Sequence, residues 1–472
     1  MKNNGLIAGV AILLATPVMA QTSFDAAYLY GQELLGTARY VAMGGAMGAL
    51  GSDASVISQN PAGIGTYHQS DFNATFSIMG SQSVTDPLLT SSNQMQVGGY
   101  SFYSLNRKSD LSCSADMLSV ILCGGEGEKT YANFGFVFRR LNHFDCDLDY
   151  IDSYSVPYGG EIFREYRDTR TAKVNAYDFN LSANFDDVVY LGATMEILST
   201  DVISNGYFFD YFNGGTDRFV SDNKYSFDRG HGFNMSFGVI VRPVPVLRLG
   251  ASFKTPTGFS QSMDYADNLY VVNSSELTGD YFSTGTDYRF SSPWSSSLSA
   301  GLTLGSTAFG IEYERHYTGR SSVSTYGGAR LDAQGASQFK DYSTFRTGLE
   351  TNVDKFSLRC GYCYNGSIFA DNARPYIKDT DFNDSRADFQ MVRPTGTNSI
   401  SFGMGYCSAP DDMGSQFYVD MAFVHGVQNR KVCANETSLS NEDVTSAFVQ
   451  PEPVVDYKYR SNRLMLTLGW CF

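Results

Sequence analysis

Eight cysteines and a few acidic runs are the first residues in this 472-residue chain to suggest chemistry. Cys360-Gly-Tyr-Cys363 has the spacing of a redox or zinc pair. In a strand, however, positions three apart face opposite sides, so the two thiols meet one ligand only across a bulge. Cys113 and Cys123 fall within one expected connection and are the best candidates for a disulfide, which an exported chain permits. Asp145, Asp147 and Asp149 alternate like the opening ligands of a calcium loop, but the loop Gly and closing Glu are missing, which favours a solvated acidic surface. No Gly-x-Ser-x-Gly or His-Glu-x-x-His occurs, and the five histidines (His68, His143, His231, His316, His425) are scattered. The expectation is a protein that is not an enzyme and has no metal and no cofactor.

A second set of residues points to packing rather than catalysis. Gly45, Gly48 and Gly51 recur every third position, which leaves one side of the backbone bare for close approach. They form no phosphate loop, because no Lys follows and no strand precedes them. Asn60-Pro61 starts a turn, and Gly63 and Gly65 supply joints. The stretch 21–69 is too apolar for a linker and too rich in Gly for an isolated domain. A plug held inside a larger structure satisfies both facts.

The rest of the chain describes that larger structure. From Asp71 onward apolar residues recur at every second position in about fourteen patches, from Phe72, Ala74, Phe76 and Ile78 to Leu464, Leu466, Leu468, Trp470 and Phe472. A Gly99–Tyr103 strand is expected second, followed by Ala132–Phe138. Short turns at 184–187, 243–245, 305–307 and 352–355 alternate with long polar connections at 144–172, 200–230, 256–285, 318–340, 365–397 and 428–457. The connection 107–130 breaks the rhythm, being long on the short side. The opposite faces of the strands are small or polar, as in Arg248, Gly250, Ser252 and Lys254, or Arg346, Gly348 and Glu350. The reading is an all-β fold: a transmembrane antiparallel β-barrel of about fourteen strands spanning 70–472, with residues 21–69 as a hatch in its polar lumen.

Export fits this. Lys2, the apolar run Leu6–Leu14 and Val18-Met19-Ala20 read as a signal peptide over 1–20, too short to span a bilayer as a helix. A count of 34 Phe and 31 Tyr suits interfacial girdles, and a net charge of −15 argues against a nucleic-acid partner. The expected setting is the outer membrane, among its lipid and lipopolysaccharide, with the protein a monomer.

The run Met43-Gly-Gly-Ala46, Asp53-Ala-Ser55 and Asn60-Pro-Ala-Gly63 resembles the N-terminal hatch of the FadL/TodX family of long-chain fatty-acid and hydrocarbon transporters, its Bacteroides-like branch in particular. Leu249–Thr257, Pro293-Trp294, Gly310–Tyr313 and Tyr418–Phe423 extend the likeness downstream. The resemblance implies fourteen strands, a hatch, and passive uptake of hydrophobic small molecules such as long-chain fatty acids. It puts gating on Asn60, Pro61, Ala62, Gly63, Gly45 and Gly48. Met43, Met47 and Leu50 would cover an acyl chain, and Arg248 and Arg346 would meet a carboxylate, with Glu350 the alternative partner of Arg346. The loops are acidic and rich in Tyr, without a plain apolar groove, so a structural or adhesin-like barrel and a haem-binding receptor remain alternatives. By resemblance to other outer-membrane barrels, the barrel-assembly machinery is expected to read the terminal aromatic. Deleting Phe472, or making Phe472→Asp, should lower the yield of heat-modifiable barrel on gel electrophoresis, and an unchanged yield refutes that role.

Overall fold

Lipid supplies no hydrogen-bond partners, so a sheet that crosses it must close on itself. In the computed structural model the sheet does so. The structure describes residues 34–85, 100–103, 109–125, 129–156, 160–213, 218–273, 276–325, 339–370, 376–378, 385–387, 393–433 and 454–472. The expected signal peptide lies outside them. Fourteen strands form the wall: β1 Asp71–Thr85, β2 Ser109–Cys123, β3 Thr130–Val156, β4 Gly160–Phe185, β5 Val189–Asn213, β6 Arg218–Val244 and β7 Leu247–Lys254. The ring continues with β8 Ser295–Leu304, β9 Thr307–His316, β10 Tyr342–Val353, β11 Phe356–Gly366, β12 Arg393–Cys407, β13 Gln416–Cys433 and β14 Val454–Cys471. Each strand pairs antiparallel with the next, and β1 pairs β14 from Asp71↔Cys471 to Thr85↔Tyr457.

Alternation sorts the two faces inside out. On β1 the exposed side carries Phe72, Phe76 and Ile78, while Asp71, Asn73, Thr75 and Ser77 are buried. On β14, Leu464, Leu468 and Trp470 face out, and Arg463, Met465 and Thr467 face in. So broad a belt of exposed large apolar side chains would aggregate in water and is at home in lipid. Among the described residues no helix is long and apolar enough to cross a membrane.

One rim carries tight turns. Asp186, Asp187 and Asp354 take φ near +55°, and Gly305 takes φ of 60°, so three of these reversals enter the left-handed region. The same rim holds the start of β1 and the end of β14, where Ser70 and Phe472 exchange backbone hydrogen bonds of 3.0 and 2.9 Å.

Two sequence expectations are corrected here. The second wall strand is Ser109–Cys123; Tyr100–Tyr103 is a short strand paired to the far end of β3. Asp116 is the reason: Thr75 pairs Met117 but Phe76 pairs Ala115, so a bulge at Asp116 reverses the phase of alternation within β2 and hides it from a period-2 reading. The connection that broke the rhythm thus contains a wall strand. Cys113 and Cys123 are both free, ten positions apart on this strand; at about 3.3 Å per residue they stand far beyond disulfide reach.

The expected long connections at 144–172, 200–230 and 256–285 are largely strand. β3 to β6 run 25 to 27 residues, against the roughly 9–11 that a membrane requires. A strand that runs past the lipid needs no apolar face there, so alternation can stop while backbone pairing continues. Thr257–Asn273 and Glu276–Ser292 form a further hairpin that pairs with the outer half of β6.

This topology sets an expected outcome. An epitope inserted between Asn273 and Glu276 should be labelled on intact cells, and one at Gly305-Ser306 only after permeabilisation; the converse pattern would invert the barrel.

Candidate functional site

The segment from Leu34 to Ser70 has no strand of its own, and its small caps explain its shape. Thr37 Oγ1 accepts from Tyr40 N (3.1 Å) to begin the short helix α1, Ala38–Ala42. Gly44, Gly45 and Gly51 have φ of 60, 76 and 67°, so two of the three regularly spaced glycines serve turns. Gly48 serves contact: a Cβ there would overlap the Glu312 carboxylate. Asp53 caps the 3₁₀ turn Ala54–Ser58, accepting from Ser55 N (2.9 Å) and from Thr37 Oγ1 (2.7 Å).

Asn60 caps the next turn, Pro61–Thr66, with Pro61 at the position where its missing N–H costs nothing. Its Oδ1 accepts from Ala62 N (3.3 Å), while Nδ2 donates to Gly48 O (2.8 Å) and Val239 O (3.3 Å). One side chain thus joins a cap, the glycine-rich turn and the wall strand β6.

Anchors run round the whole ring. Ala38 N donates to Thr467 Oγ1 on β14 (2.7 Å), and Ser401 Oγ on β12 donates to Ala42 O (3.1 Å). Asn133 on β3 donates to Ile64 O and Tyr67 O (2.9 Å each), and Asn180 on β4 donates to Pro61 O (3.2 Å). Thr194 on β5 donates to Ile57 O (2.7 Å), and Ser252 on β7 to Gln59 O (2.5 Å). A segment bonded to strands on every side lies within the ring.

The wall meets it with glycine. Gly301, Gly310, Gly348 and Gly361 pair in succession across β8, β9, β10 and β11, and a Cβ on the last three would overlap the backbone of Ala46, Met43 and Gly44 respectively. Gly192 and Gly238 pair on β5 and β6; a Cβ on the first would overlap the Pro61 backbone and on the second the Asn60 side-chain Oδ1. Met43, Met47 and Leu50 are buried in a cluster with Val56, Ile57 and Ile64 and with Ile121, Val137 and Met465 of the wall. Their expected role as a ligand lining is therefore not exposed in this arrangement.

Three clusters of luminal charges among the described residues are paired, as burial demands. Arg346 binds Glu312 (2.6 Å) and Glu314 (2.9 Å), so the expected Glu350 partner is incorrect, and its guanidinium already has two carboxylates. Gln59 Nε2 donates to Glu312 (2.5 Å), and Gly48 N to the same carboxylate (3.2 Å). Glu350 takes Arg39 of the segment through two bonds of 2.9 Å and Arg359 of β11 at 2.5 Å, and Arg359 also binds Asp420 of β13. Burial works against the Arg39 charge, but Glu350 beside it outweighs this and keeps the guanidinium above its ordinary pKa. Arg139 binds Asp178 (2.5 Å) and Glu196 (2.7 Å), and Lys254 binds Glu196 (2.7 Å). Arg248 donates to Leu50 O.

Sequence reasoning missed Arg39, Glu312, Arg359 and Asp420. The inward phase of their strands marks the last three, but nothing in spacing marks which charge meets which. Cys360 is exposed and Cys363 buried, on opposite faces as their spacing requires. No His, Cys, Asp and Glu cluster among the described residues could hold a metal. Asp145, Asp147 and Asp149 lie on β3, with side chains outside those described.

Similar architecture occurs in solved structures. A FadL homologue from Pseudomonas aeruginosa aligns over 93% of this chain and 98% of its own, with a TM-score of 0.58 at 11% identity. The fold is the FadL-type barrel. The P. putida toluene transporter TodX aligns over 93% of this chain and 99% of its own (TM-score 0.54, 12% identity), and a TodX deltaS2S3 mutant, a monoaromatic hydrocarbon channel, over 94% and 100% (0.52, 12%). No family model matches the sequence, and no curated protein is a significant match.

The glycine contacts of this FadL-type barrel make a prediction. Gly361→Ala pushes a methyl into the backbone at Gly44, an overpacking cost of about 1–3 kcal/mol. Amide exchange of Tyr40–Ala49 should accelerate roughly five- to 150-fold while heat-modifiability is kept. Gly258→Ala, with nothing within 4 Å, should change neither.

Proposed function

We propose that the protein is an outer-membrane channel for passive uptake of hydrophobic small molecules, exported by its N-terminal signal and working by transport rather than catalysis. Residues 34–69 are its hatch, the described part of the plug expected over 21–69. One observation carries this reading. Among the described residues, no backbone–backbone hydrogen bond joins 37–66 to a wall strand, so the ladder is complete without the segment. The segment is held by side chains and can leave without opening an edge in lipid.

The FadL homologue and the toluene transporter that share the fold support a hydrophobic cargo, of which long-chain fatty acids are one candidate. On the outer side of the lumen, Val174, Ala176, Leu198, Phe259, Met263, Tyr288 and Phe290 form an apolar cluster above the Arg139–Asp178–Glu196–Lys254 layer, a suitable first contact for such molecules.

Asn60 and Pro61 hold the hatch in place. Asn60→Ala with Pro61→Ala removes a cap of about 1 kcal/mol together with two bonds to carbonyls. Entry of a radiolabelled hydrophobic compound into cells should rise about fivefold, with barrel yield unchanged. Should wild-type cells take up labelled fatty acid and labelled toluene no faster than cells lacking the protein, the transport reading is wrong.

A further inference from the structure

Between Leu34 and Thr66 the segment carries two charged side chains, Arg39 and Asp53. Asp53 is used within the segment, by Thr37 and Ser55. Arg39 donates once within it, to Ser52 O (2.7 Å), and twice outside it, to the Glu350 carboxylate. The wall cluster it joins has two carboxylates, Glu350 and Asp420, and one guanidinium, Arg359, which binds both. That cluster is one cation short, and Arg39 supplies it.

The second cluster that touches the segment is also acid-rich: Glu312 and Glu314 share Arg346, with His316 at 3.4 Å from Glu314. Here the segment offers only neutral donors, the Gln59 amide and Gly48 N–H. The remaining luminal cluster, Arg139 and Lys254 with Asp178 and Glu196, balances itself.

We propose that Arg39–Glu350 is an electrostatic latch, and that its release leaves an acidic lumen which selects uncharged cargo over carboxylates. This rests on the channel reading above. The latch follows from the cost of a buried unpaired charge: with Arg39 withdrawn, Glu350 and Asp420 compete for one guanidinium, so the closed state is favoured. Selectivity follows from sign. Carboxylates lining an opening repel anions and favour cations, while an uncharged apolar molecule is indifferent to them. Of the two arginines expected to greet a carboxylate, Arg346 stays with Glu312 and Glu314 of the wall when the segment leaves, and Arg248 alone gives up its partner, Leu50 O.

The test uses the purified full-length protein in planar bilayers under a KCl gradient. Arg39→Gln should raise the open fraction about tenfold, equivalent to about 1.4 kcal/mol, with a reversal potential showing cation preference. Arg39 keeps 28% of its side chain exposed, so the effect stays below that of a fully buried pair. Glu350→Gln, which strands Arg39 instead, should also open the pore, but with weaker cation preference. The double variant leaves Arg359 with Asp420 alone and should close again towards wild type, whereas simple loss of hydrogen bonds would leave it at least as open as either single variant.

An Arg39→Gln pore no more open than wild type, or a double variant more open than both singles, overturns the latch. An Arg39→Gln pore preferring anions, or cells with this variant admitting a labelled long-chain carboxylate as fast as labelled toluene, overturns the selectivity. Conduction as described without wild-type uptake would sink the transport reading and leave the latch standing. Uptake with an inert Arg39→Gln pore does the reverse.

Discussion

Closure of one hydrogen-bonded ladder is the constraint on which the rest of this protein depends. Fifteen residue pairs join β1 to β14, and breaking them would leave two rows of unpaired peptide groups in lipid. The wall is therefore not free to give way. Its outer face must be apolar and its inner face is left to polar and small residues, the reverse of a soluble sheet. Whatever moves must be bonded through side chains, and the N-terminal segment is the part so bonded.

Much of this was legible in the sequence because lipid imposes a strict code. The outward phase of Phe72, Phe76 and Ile78, or of Leu464, Leu468 and Trp470, reads at period 2 without help from context. The code fails where lipid stops imposing it. Residues 144–156 and 200–213 continue as strand, and they read as polar loops. It fails again where the backbone changes phase, as at Asp116, whose bulge concealed β2 and left two cysteines on one strand looking like a bridging pair.

The site was legible in its own backbone and not in its partners. Asn60-Pro61 declares a capped turn from local chemistry alone, and Asn60 does cap it. That Asn60 also reaches Val239, or that Arg39 reaches Glu350 across more than three hundred positions, depends on ring geometry that no local pattern encodes. The paired glycines from Gly301 to Gly361 lie between. Each is visible as a small inward residue, but their alignment into one row follows only from the register of four strands.

The segment is not a separate molecule. Four residues, Tyr67 to Ser70, link its last turn to the first wall residue, Asp71, and Asn133 grips Ile64 and Tyr67 near that link. A stopper tethered this way cannot diffuse off or be diluted. Its return is a unimolecular event at an effective concentration on the order of millimolar, set by tether length and independent of how many copies the membrane holds. If the segment is the hatch proposed above, each barrel carries its own means of resealing and leaks only for as long as its own chain stays displaced.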